Sequence, residues 1–334
     1  MPLRRREGDV DSSKLAGGNI ALSEKRILIT GAAGYIGSLV GRRLAADHHV
    51  VGTDIRRDDD PGFPVLEMDV RNGALKALLE SERITHLVHL ASVLDAGADR
   101  ARDFDIDVNG TRNVLHCALA AGVGHITVTS SGAAYGYHPD NPEWIDENDA
   151  LRGNPEFAYA DHKRRIEHLL AEHRDRHPEL RQLVFRPGTV LGARTSNLIT
   201  NLFRARRMIA VKGSDSPFVF IWDEDVVRAI EQGIREDRTG IYNMAGDGAL
   251  TVHEIAAILG KPVRALPAWL IVAALWTARR LGIGRYGPEQ VNFLRYRPVL
   301  SNRRLKEEFG YRPEKTSEET FRYYVEHARR RGEL

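Results

Sequence analysis

The chain has 334 residues, 42% hydrophobic and 28% charged, with a formal charge of +2 from 48 basic and 46 acidic side chains. That balance describes a soluble globular protein, large enough for one big domain or two unequal lobes, and implies no polyanion such as nucleic acid as a partner. Its single cysteine, Cys117, permits no internal disulfide and fits a reducing, cytoplasmic setting.

Residues 1–24 are polar, with acids among the arginines and no apolar run; they resemble neither a signal nor a transit peptide and are expected to be disordered. From residue 26 onward strand and helix signals alternate. Residues 26–30 read as a strand, followed by a helical pattern through Leu44. Residues 49–54, 64–68, 85–90, 125–129 and 183–186 read as further strands, with helices between most of them. Such alternation predicts an α/β fold with a doubly wound parallel (Rossmann) sheet over residues 25–187. Beyond Pro187 the pattern loosens. Helices at 198–208, from 223, at 251–259, 270–281, 302–309 and 317–331, with a strand around Val219, predict a smaller, mostly helical C-terminal substrate lobe. This lobe, residues 188–334, is expected to be interleaved with the sheet. The longest apolar run, residues 268–276, falls far short of the ~20 residues that a spanning helix needs, so no membrane span is expected. It reads as a packed helix with Trp269 and Trp276 on one face, with attachment to a membrane surface as the alternative. Residues 282–287, rich in glycine, are the candidate mobile loop.

Gly31, Gly34 and Gly37, with Tyr35 and Ile36 between the last two, follow the first strand and open the first helix. Glycine is needed where backbone turns tightly and approaches a pyrophosphate, and the helix N-terminus supplies free amides and a positive dipole end. Asp54 ends the second strand, about 20 residues further on, where an acid takes the adenosine ribose. A carboxylate there accepts ribose hydroxyls and repels a 2′-phosphate, which favours NAD over NADP, although Arg56 and Arg57 lie near enough to meet a phosphate.

Tyr159 and Lys163 are separated by about one helical turn, so phenol and ammonium share a face. The ammonium favours the phenolate, and such a phenol can exchange a proton with a secondary alcohol or ketone. His173 and His177 share a helix face as well, but no third ligand accompanies them and no metal site is expected.

With these motifs in this order the chain resembles the extended short-chain dehydrogenase/reductase family, which includes nucleotide-sugar epimerases and hydroxysteroid dehydrogenases. The resemblance runs from about residue 26 to 326. Besides the Gly31–Gly37 loop it rests on Met68-Asp69-Val70, His89-Leu90-Ala91-Ser92, Asn109-Gly110-Thr111, Thr129-Ser130-Ser131, Tyr135-Gly136, Tyr159 to Lys163 and Arg186-Pro187-Gly188. It implies that Asp69 and Val70 lie at adenine, and that Leu90, Ala91, Ser92 and Asn109 line the cofactor. Pro187, Gly188 and Val190 would support the nicotinamide. Ser131 would hydrogen-bond the substrate oxygen against the Tyr159 hydroxyl, with Lys163 on the nicotinamide ribose. The family's dehydratases carry an Asp-Glu pair where this chain has Gly132 and Ala133, which argues against water elimination. Its epimerases place a diphosphate-binding arginine where this chain has Phe218; Arg295, Arg297 or Arg204 is left to substitute.

The sequence therefore predicts an NAD-dependent oxidoreductase or epimerase acting on a secondary alcohol or ketone carbon of a small molecule. A nucleotide-sugar epimerase working by transient oxidation is preferred. A 3β-hydroxysteroid-dehydrogenase-like enzyme or ketoreductase with a less charged substrate is the alternative, and a non-catalytic dinucleotide sensor is the alternative of another class. Tyr135, Asn197, Phe218 and Arg295 are further substrate candidates, with helix capping the competing role for Asn197 and core packing that for Tyr135 and Phe218. The resemblance also implies a homodimer paired through the helix carrying Tyr159 and the one around residues 113–119.

Overall fold

A computed structural model describes residues 24–56, 62–93, 99–282 and 287–334. Arg57, nearly all of the tail expected to be disordered, and most of the 282–287 loop lie outside the described residues.

The first part of the chain runs β1 (Arg26–Thr30), α1 (Tyr35–Leu44), β2 (His49–Asp54), β3 (Val65–Glu67), α2 (Leu75–Ser81), β4 (His86–His89), α3 (Arg100–Phe104), α4 (Gly110–Ala120), β5 (His125–Thr129), α5 (Ala158–Arg176) and β6 (Arg181–Pro187). Then follow β7 (Thr189–Leu191), α6 (Leu198–Arg204), β8 (Met208–Val211), β9 (Phe220–Trp222), α7 (Asp223–Arg235), β10 (Gly240–Met244), α8 (Val252–Leu259), β11 (Val263–Leu266), α9 (Ala268–Arg280), α10 (Gln290–Arg295) and α11 (Ser317–Arg330).

Seven parallel strands form the central sheet in the order β10-β6-β5-β4-β1-β2-β3. The order reverses direction at β1, so the C-terminal ends of β1 and β4 open the crevice where ligands bind in doubly wound folds. Central strands such as β1 and β4 are apolar along most of their length because helices cover both faces. On one face Val40 and Leu44 of α1 meet Val226, Val227, Ala229, Ile230 and Ile234 of α7 over Ile27 and Ile29. On the other, α2, α4 and α5 pack Leu75, Val114, Leu115, Ile166 and Leu170 against Leu28, Leu87 and Ile126. Each such buried side chain contributes about 1.5–3 kcal/mol. Ile166, Leu169 and Leu170 are therefore spent inside the subunit, and a dimer through α5 would use that helix's outer, polar face.

The second lobe carries more strand than its sequence pattern predicts. The helix expected to reach residue 208 stops at Arg204, where Ala205 takes an extended conformation (φ −59°, ψ 147°). Met208–Val211 then pairs with β11 in a small parallel sheet, and β7 pairs with β9 in another. β10 returns to the main sheet beside β6, so residues beyond 187 complete the Rossmann unit. Phe203, Phe218, Phe220, Phe321 and Tyr324 fill this lobe's core, with Phe218 stacked on Phe220 at 5.7 Å between centroids.

Candidate active site

The loop between β1 and α1 is shaped by glycine. Gly31 has φ +73°, and a Cβ there would fall 2.7 Å from the backbone nitrogen of Ala91. A Cβ on Gly37 would fall 2.1 Å from the Gly31 carbonyl oxygen. The loop thus turns tightly, lies against the Leu90–Ala91 backbone, and presents the N-terminus of α1, whose cap Gly34 has no side chain to satisfy the free amides. That cradle fits a pyrophosphate.

Asp54, buried at the end of β2, points back to this loop. Its Oδ2 accepts from the Ala33 amide at 3.1 Å and its Oδ1 from the Arg56 amide at 3.0 Å. The exposed Arg56 guanidinium stands 3.7 Å from the same carboxylate, so the two are partners rather than separate sites. Asp69 is differently committed: Arg71 grips it with both arms of its fork, at 2.9 and 2.6 Å, and reaches Asp105 as well. That grip holds the Asp69 carboxyl below the usual carboxylate range. Val70 packs into the core beneath α4, and Asn109 donates to Asp105. Tyr35 sends its hydroxyl to Asp223 at the start of α7, tying the Gly31 loop to the second lobe. Burial first, and then Asp223, hold that phenol protonated.

A π-helical turn, residues Asp105–Asn109, joins α3 to α4, and its extra residue sets Asp107 into the interior. The Asp107 carboxylate accepts from the Val93 amide at 2.8 Å, from the Ser92 hydroxyl at 3.1 Å and from His162 Nδ1 on α5 at 2.9 Å. Burial opposes its ionisation, but these donors and the nearby Lys163 charge prevail and hold the carboxyl below its usual value. His89 completes the layer. The Thr111 hydroxyl donates to the Asp107 carbonyl and so accepts from His89 Nε2, which leaves Nδ1 to accept from Thr30. Burial, reinforced by Lys163, keeps that ring neutral, pushed down to about 3. Asp107 and His162 are functional candidates that the sequence reading missed; the only signal was an acid two residues before Asn109.

Lys163 is buried, with Nζ donating to the Thr129 carbonyl at 3.1 Å and lying 5.6 Å from the centre of the Tyr159 ring. Tyr159, one turn earlier, is half-buried at the cleft. α5 packs against the tight turn at Gly132–Tyr135, which Ser131 caps by accepting from the Ala133 amide at 3.1 Å. A Cβ on Gly132 would meet the Leu300 side chain at 2.8 Å. Neighbouring Ser130 faces inward instead, donating to Glu167, which is bound by Arg186. Gly188 closes the floor, its amide bonded to Met244.

The wall beside Tyr159 is aromatic. Tyr137 contacts Phe157 and Phe293, each at 5.2 Å between centroids, and lies within electrostatic reach of both Tyr159 and Arg297. Arg297 is buried, 3.7 Å above the Phe218 ring and 5.1 Å from that of Phe293. It donates to the Ser216 carbonyl at 2.7 Å, but its Nε has no hydrogen-bond partner, and no carboxylate among the described residues pairs with it.

Other substrate candidates sit elsewhere. Tyr135 is in the core, its hydroxyl donating to Asn243 and accepting from Arg186. Asn197 caps α6, accepting from Ile199 and Thr200 in a reciprocal capping box. Phe218 shows one face to Phe220 and the other to Arg297. Arg295 stacks on Tyr296 at 4.6 Å.

A model of the NAD dependent epimerase/dehydratase family matches residues 27–245. Among curated proteins, Mb0513 of Mycobacterium bovis is 23% identical over 318 residues, 90% of this chain and 83% of that protein. UDP-glucuronic acid decarboxylase 4 of Arabidopsis thaliana is 25% identical, over 74% of this chain and 60% of that one. Among solved structures, WbmG of Bordetella bronchiseptica in complex with NAD and UDP has a TM-score of 0.73 at 20% identity, covering 93% of this chain and 96% of that one. The NAD complex of Thermus thermophilus UDP-glucose 4-epimerase has a TM-score of 0.69 at 25% identity, covering 91% and 99%.

Proposed function

The chain belongs to the NAD dependent epimerase/dehydratase family and is an NAD-dependent enzyme, and from that premise we propose that it epimerises a nucleotide sugar by transient oxidation of one carbinol carbon. The observation that carries the substrate class is Arg297, a buried guanidinium on the wall beside Tyr159 that no carboxylate among the described residues pairs with. A lone buried cation is costly unless a ligand anion completes it, and a diphosphate supplies that anion where a sterol does not. It stands over Phe218, the position at which the expected arginine is missing.

The Gly31 loop and the α1 N-terminus would hold the NAD pyrophosphate, Asp54 the adenosine ribose, and Lys163 the nicotinamide ribose. Bound there, NAD would supply reversible hydride transfer at the carbinol carbon. Tyr159 takes the hydroxyl proton as the carbon is oxidised and gives it back on reduction, while Ser131 holds the substrate oxygen against it. Lys163, pinned by Thr129, keeps a positive charge beside that phenol in both directions. Rotation of the transient ketone between the two steps inverts the centre. Gly132 and Ala133 offer no second acid or base, and Leu300 fills the space beside Gly132, which supports epimerisation over elimination. A homodimer through the outer faces of α4 and α5 belongs to the same proposal.

Two measurements test it. Denaturing the purified protein and analysing the supernatant is expected to release NAD in stoichiometric amount. Incubation with a panel of UDP-hexoses, followed by NMR of the anomeric protons, is expected to reach an epimer mixture without net NADH. Net NADH formation, or turnover confined to uncharged ketones, would overturn the reading.

A further inference from the structure

The helix α9 turns the usual surface pattern inside out. Of its residues only Ile271 is buried, with Ala268 and Leu275 packed partly beside it against Val211, Val291 and Leu294. These positions form one narrow stripe. Round the helix from it stand Trp269, 70% exposed, and Trp276, 55% exposed, two turns apart on one face with exposed Val272 beside them. Leu270 and Leu281 are exposed further round. A surface helix ordinarily shows water its polar side, and a helix apolar all round is ordinarily buried. Large apolar side chains contiguous in this way mark a surface that something covers.

Charge says what covers it. Residues 261–282 contain four basic side chains and no acid, and residues 205–214, which supply the partner strand β8, contain three basic side chains and no acid. Arg206, Arg207, Lys212, Arg264, Arg279 and Arg280 are all exposed. The whole chain, by contrast, balances 48 basic against 46 acidic groups. Arg280 lies over the Trp276 ring at 5.5 Å, and Arg279 reaches Glu289 beside α10 at 3.7 Å. A second copy docking face to face would set these cations against each other, which like-charge repulsion disfavours. At 13 residues α9 is about 20 Å long, too short to cross a bilayer. Paired tryptophans, an apolar face and a basic surround are what lets a helix lie in the headgroup region of an anionic membrane.

The geometry points to α9 as an interfacial helix that seats the protein on an anionic lipid surface, with the β8–β11 cations on the headgroups. The apolar segment read in the sequence as a packed helix is then a docking element. α10, which packs on α9 and carries Phe293 of the cleft wall, places the active site close to that surface.

The test uses the full chain with sonicated vesicles of phosphatidylcholine, with or without an equal share of phosphatidylglycerol, at physiological salt. Co-sedimentation is expected with the anionic vesicles, at least tenfold stronger than with phosphatidylcholine alone, and with a blue shift of tryptophan emission. The variant Trp269→Ser/Trp276→Ser is expected to lose binding at least tenfold while NAD affinity stays unchanged, which separates lost docking from lost folding. Sedimentation velocity of both forms completes the set. Absence of vesicle binding, equal binding to both lipids, or a wild-type oligomer that the double substitution turns into monomers would each overturn the inference.

Discussion

Replacing Arg297 by methionine separates what that residue does for the fold from what it does for a ligand. Burial pushes the guanidinium down to about 9, from an ordinary value near 12.5. At 1.36 kcal/mol per pH unit this amounts to about 5 kcal/mol of penalty on a charge that is still held at pH 7. Stacking on Phe218 returns about 2 kcal/mol, and the bond to the Ser216 carbonyl about 1–2. The ligand-free variant is therefore expected to be more stable than the wild type by about 1–2 kcal/mol, read by urea unfolding. In the same variant, UDP loses a charge-assisted partner worth about 2–3 kcal/mol, so its dissociation constant rises by about 30- to 150-fold in calorimetric titration. Lysine at this position restores charge but not the planar fork, and recovers only part of the affinity. Unchanged UDP binding by Arg297→Met refutes the anionic subsite. A destabilised apo variant refutes the claim that the cation is uncompensated.

Tyr159→Phe is expected to lower turnover on an identified substrate by about 10²- to 10⁴-fold while NAD still raises the melting temperature; undiminished turnover would remove the phenol from the mechanism. Gly37→Ala places a methyl against the Gly31 carbonyl and is expected to abolish the thermal shift given by NAD without unfolding the protein. Asp107→Ala leaves the Val93 amide and His162 without their buried acceptor and is expected to cost about 3 kcal/mol of stability, with a larger effect on kcat than on KM if Asp107 positions α5 against the cofactor. His89 is pushed down to about 3 and His86 to about 4, both chiefly by burial. Their unfolded counterparts titrate near 6.5, so between these values the unfolded chain binds more protons. Stability is complete above pH 6.5 and lost as pH falls: each histidine costs about 2 kcal/mol between pH 7 and pH 5. His89→Gln is expected to remove its share of that slope in urea melts at the two pH values; an unaltered slope would show that His89 is not buried in neutral form.

The legible parts of this molecule are those where one short segment does one job. The glycines at 31, 34 and 37, Asp54 and the Tyr159–Lys163 turn are each set by local geometry: a tight turn, a strand end, one helical turn. Their spacing along the chain is their spacing in space. The sheet from β1 to β6 was equally readable, because its strands are continuous apolar runs between amphipathic helices. β10 was not. Gly240–Met244 contains Tyr242 and Asn243 and looks like a loop, and only pairing with β6 and the buried contacts of Asn243 with Tyr135 and Glu147 make it a strand. β8 failed for the opposite reason: the helical pattern from residue 198 runs on to Met208 in the sequence, while the helix itself ends at Arg204, before Ala205.

Arg297 and Asp107 show why the site itself was only half visible. An arginine in a charged sequence announces nothing; its meaning lies in being buried, and burial here is made by Phe293, one turn back, and by Phe218, far off in the chain. Asp107 is hidden more thoroughly, since it lies in a π turn whose presence the sequence does not signal, and there it faces inward to His162. The same logic runs in reverse for α9. Its apolar sequence reads as core because composition alone cannot tell a helix covered by its own chain from one covered by something else. Only the exposure of Trp269 and Trp276, with a basic excess around them, distinguishes the two. Residues whose role would depend on which partner comes to them are therefore the ones a single sequence conceals, as the proposals for Arg297 and for α9 both illustrate.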